Sequence, residues 1–326
     1  MIFAFSNESL ERAAALLRTG EVVGMPTETV YGLAADATSK HAVEQVYLLK
    51  GRPSANPLIV HVSSFAQIGA AADLSASSSA SARLERLQSL FPGPLSVVLP
   101  KHRQIADRVC AGGSSVAVRV PAHPIARALI DAAGKPLAAP SANLSNRLSP
   151  TTAEHVASAF GDRLKLILDG GPSIVGLEST VISLIGDRPV ILRPGAIGIE
   201  LLSDLLGEAV QDGAIVSQEG DAPLLSPGLL PKHYAPQTPV LFSHQLDSSI
   251  RTEQSALLTF TPCSAEYAAR FATYHCLDAP LERAATQLFA ALHQLDRLNL
   301  DAIVIEPCPE TGIGIAIMDR LRRAAA

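Results

Sequence analysis

The feature that most limits the folds open to this chain is a short apolar run that recurs along it and is followed each time by polar or cationic side chains. Val22-Val23-Gly24-Met25, Leu58-Ile59-Val60-His61-Val62, Val116-Ala117-Val118-Arg119-Val120, Leu137-Ala138-Ala139, Val181-Ile182-Ser183-Leu184 and Val190-Ile191-Leu192-Arg193 are such runs. They are too short for helices and rich in β-branched residues, as buried strands are. Stretches of helical period stand between them: Leu10, Ala13, Ala14 and Leu17 behind Asn7; Ala42, Val43, Val46 and Leu49; Ile125 to Ala133; Ala153 to Phe160. Short and long connections are mixed, which predicts an α/β unit built on a twisted, mixed sheet rather than a purely parallel one.

Ligands of α/β proteins gather where strands end in polar turns, and here those turns carry chemistry. Pro26-Thr27-Glu28-Thr29 sets hydroxyls and a carboxylate after the first run. Lys50-Gly51-Arg52-Pro53-Ser54-Ala55-Asn56-Pro57 sets two cations in a segment that Gly51, Pro53 and Pro57 keep from being helical throughout. Lys50 and Arg52 are therefore expected to project from a loop, where they could grip a polyphosphate without a Walker loop. Arg119 lies inside an apolar run, and a charge buried in a strand needs an anionic partner. Pro140-Ser141-Ala142-Asn143, Gly176-Leu177-Glu178-Ser179-Thr180 and Arg193 before Pro194-Gly195 add further hydroxyls, an amide and a guanidinium.

The segments PTETVYGL, KGRPSANPL, IVHV, FPGPLSVVL, VAVRVP, APSAN, GLEST and ILRPG, in this order, resemble the catalytic domain of the threonylcarbamoyl-AMP synthases, which has the YrdC-like fold. Lys232-His233-Tyr234-Ala235-Pro236 and the C-terminal Gly312-Ile313-Gly314 to Arg320 resemble the long, two-domain form of that family. The resemblance implies that L-threonine and bicarbonate or CO2 form an N-carboxylated threonine, whose carboxylate attacks the α-phosphorus of ATP. Threonylcarbamoyl-AMP and pyrophosphate result, and the adenylate passes to the machinery that modifies tRNA next to the anticodon.

By the same resemblance Lys50 and Arg52 are the catalytic cations on the triphosphate, with Asn56, Ser115, Ser141, Ser149, Arg193 and Tyr234 on the ATP side. Thr29, His61, Arg119, Ala139 (through its backbone) and Ser179 surround threonine, with Arg119 on the α-carboxylate; Thr27, Glu28 and Thr180 are weaker candidates, and Asn143 holds the Ser141 loop. Mg2+ is expected to come bound to ATP, since no carboxylate cluster suggests a protein-built cage. Asn146 stands where the family commonly has glycine, and asparagine tolerates the left-handed backbone that such a turn requires.

With 326 residues the chain exceeds the usual size of a single core. The expected units are 1–206, the YrdC-like catalytic domain; 207–239, a Gly- and Pro-rich linker with Tyr234 as part of a lid over the nucleotide; and 240–326, a smaller C-terminal α/β domain of Rossmann-like type. The stretch from Ala70 to Ala82 reads as a surface connection or weak helix. Arg320, Arg322 and Arg323 read as charges favourably placed near a helix C-terminus.

A net charge of −5 and an aromatic content of 4% disfavour the rival reading, an RNA-binding module of the same fold without synthase activity, while leaving room for a weak local RNA contact. The four cysteines show neither CxxC nor zinc spacing and read as reduced thiols. A leader peptide and membrane-length apolar runs are not apparent, so the expected location is the cytoplasm.

Overall fold

The structure is a computed structural model that describes residues 1–213, 233–247 and 249–326. Its N-terminal unit is a mixed sheet of β1 (Ile2–Ala4), β2 (Val23–Met25), β3 (Gly32–Asp36), β4 (Ile59–His61), β5 (Leu95–Pro100), β6 (Ser115–Arg119), β7 (Leu137–Ala138), β8 (Ile167–Asp169), β9 (Thr180–Ser183), β10 (Val190–Arg193) and β11 (Gln211–Asp212). The spatial order is β1-β8-β2-β3-β7-β4-β6-β5-β9-β10-β11. The helices that cover it are α1 (Asn7–Arg18), α2 (Lys40–Lys50), α3 (Ser78–Arg86), α4 (Pro124–Ala133), α5 (Ala153–Phe160) and α6 (Ile199–Leu206).

Local signals explain where these helices begin and end. The Ser6 hydroxyl caps α1 in a reciprocal capping box with Ser9, and the apolar face buries Ala13, Ala14 and Leu17. Ser39 caps α2, and Gly51, at φ 61°, closes it in the left-handed conformation that glycine adopts at little cost. Lys50 is therefore the last residue of a helix rather than part of the loop that the sequence suggests. Ser77 likewise caps α3, so part of the Ala/Ser-rich stretch is a true helix, with Arg83 buried against Glu208 at 2.9 Å.

The middle of the sheet positions the site. Along β4, β6 and β5, Val60, Val118 and Val97 point into the main core, while Ile59, Ala117 and Val98 point to the opposite face. The register pairs His61 with Arg119 and Arg119 with Ser96. Period-two alternation then places His61, Arg119 and Ser96 side by side on the face away from the main core. Ser179, just ahead of β9, shares that face, as the 2.8 Å contact between its hydroxyl and that of Ser96 requires.

The second sheet is parallel, in the order β12-β15-β13-β14. Its strands are β12 (Val240–Phe242), β13 (Ala256–Thr259), β14 (Thr273–Cys276) and β15 (Ile303–Ile305), with helices α7 (Ala265–Ala268), α8 (Leu281–Asp296) and α9 (Gly314–Ala325). The segment expected to be a linker opens instead with a strand, since β11 pairs with β10. Most of the rest of that segment, Lys232 included, lies outside the described residues. The two sheets meet along the Ser173–Ser179 loop: Leu177 joins the apolar cluster of the C-terminal unit, and Gly176 lies so close to α8 that a Cβ would stand 2.4 Å from the Thr286 Cα. None of the described helices is long and apolar enough to cross a membrane.

Candidate active site

The polar face of β4 and β6 is the floor of a cleft walled by Thr27, residues 29–32, Pro140-Ser141, Glu178-Ser179, Arg193 and His233-Tyr234. At one end Arg119 is held from three sides: Nε donates to the Gly93 carbonyl at 3.2 Å, Nη1 to Thr29 Oγ1 at 2.7 Å and Nη2 to Glu28 Oε1 at 2.6 Å. Thr29 is held in turn, its Oγ1 lying 2.9 Å from that of Thr27. Burial alone would raise the Glu28 carboxyl, but the Arg119 guanidinium and the backbone N–H groups of Ala122 and Glu28 together outweigh it and hold its pKa below the usual carboxylate value. His61 donates from Nδ1 to the Ile59 carbonyl at 3.2 Å; burial, reinforced by Arg119, pushes its pKa down to about 3, so the ring is neutral.

The other end is cationic. Arg52 is fixed by the Asn56 carbonyl at 3.0 Å, the Asn56 side-chain oxygen at 2.7 Å and the Pro57 carbonyl at 2.8 Å. Arg193, turned by an irregularity of β10 between Ile191 and Arg193, donates to the Ser179 carbonyl at 3.0 Å and to the Ser179 hydroxyl at 3.2 Å. Lys50 donates to the carbonyls of Ser141 and Asn143, at 2.5 and 2.6 Å, and to Asn143 Oδ1 at 3.0 Å. These contacts match all three of its donors, while burial and then Arg52 lower its pKa well below the usual lysine value.

Against these cations stands Glu178, which accepts from the Ser149 hydroxyl and, at 2.8 Å, from Arg320 of α9. Arg320 is 1% exposed, also donates to the Pro194 carbonyl at 2.9 Å, and lies 5.2 Å from the Tyr234 ring centroid. Tyr234 is itself 1% exposed at φ 62°, a conformation costly for a bulky residue and characteristic of functional loops. His233 packs edge-on to it at 4.0 Å; burial, with Lys50, Arg52, Arg193 and Arg320 around it, brings that imidazole down to about 2.

The cleft wall thus includes Thr29, Arg52, His61, Arg119, Ala139, Ser141, Ser179, Arg193 and Tyr234. Lys50, Asn56 and Ser149 stand one layer behind, each bonded to a group of the wall. Lys50 differs from the expectation of a cation aimed at phosphate, because the Ser141 and Asn143 carbonyls and Asn143 Oδ1 accept its hydrogen bonds. Ser115 begins β6 at the end opposite Arg119, four residues or about 13 Å away, and the register Ile59 to Ala117 continues to bring it level with Pro57. Asn146 does adopt the left-handed turn, at φ 66°.

Glu178, His233 and Arg320 were not singled out as site residues from sequence. Arg320 reads there as a charge near a helix end, yet α9 runs on to Ala325 and buries it. Its only sequence signal is a cation inside the apolar pattern of a helix.

Residues 15–195 match the family profile described as "Telomere recombination", and residues 197–326 match the one described as "Threonylcarbamoyl-AMP synthase, C-terminal domain". The chain is 41% identical to the threonylcarbamoyl-AMP synthase of Bacillus subtilis, covering 98% of this chain and 94% of the relative. The chain belongs to the threonylcarbamoyl-AMP synthase family. The threonylcarbamoyl-AMP synthase of Pyrococcus abyssi is 40% identical over 96% of this chain and 93% of its own. The crystal structure of P. abyssi Sua5 complexed with L-threonine superposes with a TM-score of 0.86 at 35% identity, covering 100% of this chain and 97% of that one. The family's two-part architecture, a YrdC-like mixed sheet and a smaller parallel α/β unit, is the one found here.

Proposed function

We propose that this protein is an L-threonylcarbamoyladenylate synthase, in which the two ends of the cleft receive different anions. The observation that carries the reading is the division itself: Arg119, neutralised by Glu28, at one end, and Arg52, Arg193 and Lys50, opposed by Glu178, at the other. A solved relative's title names L-threonine as its ligand, and the Arg119 end suits an α-amino acid. Arg119 takes the α-carboxylate through its planar fork, with Thr29, His61, Ser179 and the Ala139 backbone around the rest of the molecule. The cationic end takes ATP on Arg52 and Arg193, with Ser141 on the wall and Lys50, Asn56, Ser149 and Ser115 supporting it.

The threonine amine attacks CO2 and releases a proton, or condenses with bicarbonate and releases water; either route gives the N-carboxylate. The new carbamate oxygen then attacks the α-phosphorus, and the bond from that phosphorus to the bridging oxygen breaks to release pyrophosphate. The protein need supply no nucleophile, because the carbamate is already anionic. Its work is to align two anions and screen their repulsion. Mg2+ enters as part of the MgATP substrate, while Glu178, on the cleft wall, is committed to Ser149 and Arg320.

Tyr234, folded into the cleft, closes the nucleotide end and keeps water from the labile adenylate. The product then goes to the transferase machinery that modifies tRNA, which places the reaction in the cytoplasm. Incubating the protein with MgATP, L-threonine and labelled bicarbonate tests the reading: a labelled adenylate and pyrophosphate should form only when all three are present. Equal pyrophosphate release without threonine or bicarbonate would overturn it.

A further inference from the structure

We infer that Glu28 is a positioning residue of the amino-acid end, presetting the Arg119 guanidinium so that one N–H on each terminal nitrogen is left for the threonine α-carboxylate. The inference rests on the assignment of Arg119 to threonine. Glu28 is 3% exposed and is not among the residues that wall the cleft, so it acts through Arg119 rather than on the ligand. Its Oε1 accepts from Nη2 at 2.6 Å, while Thr29 and Gly93 take one proton each from Nη1 and Nε. Of the five N–H groups of a guanidinium, two remain, one on Nη1 and one on Nη2. That is the pair a bidentate carboxylate requires.

Stability alone does not explain this arrangement. A buried ion pair is often replaceable by apolar residues without loss, and this one is incompletely satisfied: the Ala122 N–H helps keep the carboxyl ionised, yet Glu28 Oε2 completes no hydrogen bond among the described residues. A half-satisfied carboxylate kept behind a cleft-lining arginine is better explained by what it does to that arginine. Two further contacts lock the segment from behind, as functional sites require of their supporting groups: Val175 donates its N–H to the Glu28 carbonyl at 2.7 Å, and the Ser173 hydroxyl donates to the Thr27 carbonyl at 3.0 Å. The pair also leaves this end with little net charge, so the triphosphate gains nothing by binding there in place of a zwitterionic amino acid.

The experiment compares steady-state pyrophosphate release by the full-length protein, Glu28→Gln and Glu28→Ala, with threonine and ATP varied in turn and melting temperatures recorded. Glu28→Ala should raise KM for threonine roughly 10- to 100-fold, the worth of a charge-assisted contact, and leave KM for ATP within about twofold. Glu28→Gln, which keeps the shape and one acceptor but loses the charge, should fall between wild type and Ala. A threonine KM within about twofold of wild type in Glu28→Gln, and in Glu28→Ala if that variant folds, would overturn the inference, as would equal losses for threonine and ATP that follow a lowered melting temperature. A wild-type protein without threonine-dependent pyrophosphate release would instead overturn the assignment of the site.

Discussion

Arg320→Ala should disturb the catalytic cleft from the C-terminal unit, and its size can be worked out from the contacts. The guanidinium is 1% exposed and donates to Glu178 at 2.8 Å, to the Pro194 carbonyl at 2.9 Å and to Asp319 at 2.6 Å. Truncation leaves Glu178, 5% exposed, with the Ser149 hydroxyl and the field of Arg193 as its remaining support. Removing one partner of a buried pair costs about 3–5 kcal/mol. For a chain of this size that is a fall in melting temperature on the order of 10 °C. Because Glu178, Ser149 and Tyr234 border the nucleotide end, ATP affinity should fall as well.

Differential scanning calorimetry and isothermal titration with ATP measure the two effects. Adding Glu178→Gln to Arg320→Ala should recover part of the lost stability, since a neutral amide needs no counter-charge, and the double-mutant cycle isolates the coupling. An Arg320→Ala protein that melts within about 2 °C of wild type and binds ATP normally would refute the claim that α9 is part of the site.

Three further outcomes are expected. Arg119→Ala should weaken threonine binding by roughly 1.5–3 kcal/mol with little effect on ATP, and Arg52→Ala the reverse; titration of each variant with each ligand checks the split, and an inverted pattern would exchange the two ends. Lys50→Met should lower the melting temperature as well as ATP affinity, because three oxygens of the Ser141–Asn143 loop lose their donor; unchanged stability with lost ATP binding would return Lys50 to a direct phosphate contact. The protein should also lose stability in mild acid. His61 and His233 have folded values of about 3 and about 2, below the ordinary 6.5, so the stability they contribute is complete above pH 6.5 and is lost as the pH falls towards those values. Each withdraws roughly 2 kcal/mol between pH 6.5 and 5, and melting curves that are flat across that interval would contradict the assigned neutral rings.

Much of the site was legible in the sequence because strand alternation is a local property. The runs around Ile59-Val60-His61 and Val116 to Arg119 already announce which side chains share a face, and a buried arginine announces a partner. Pro and Gly likewise mark the turns that carry Arg52, Ser141 and Arg193. The strand β3 was harder to see, because Gly32-Leu33-Ala34-Ala35 has no alternation and few β-branched residues, and its pairing with β2 and β7 defines it. What tertiary structure alone decided is the destination of each polar group. Lys50 looks like a loop cation until α2 is seen to run through it and the Ser141–Asn143 carbonyls to surround its amine. Tyr234 in a left-handed backbone inside the cleft, and Arg320 reaching Glu178 across 142 positions of chain, depend on two sheets packing together. Sequence fixes local period and turn chemistry, whereas long-range partners are selected only when the folded chain excludes water and every buried charge must find its counterpart.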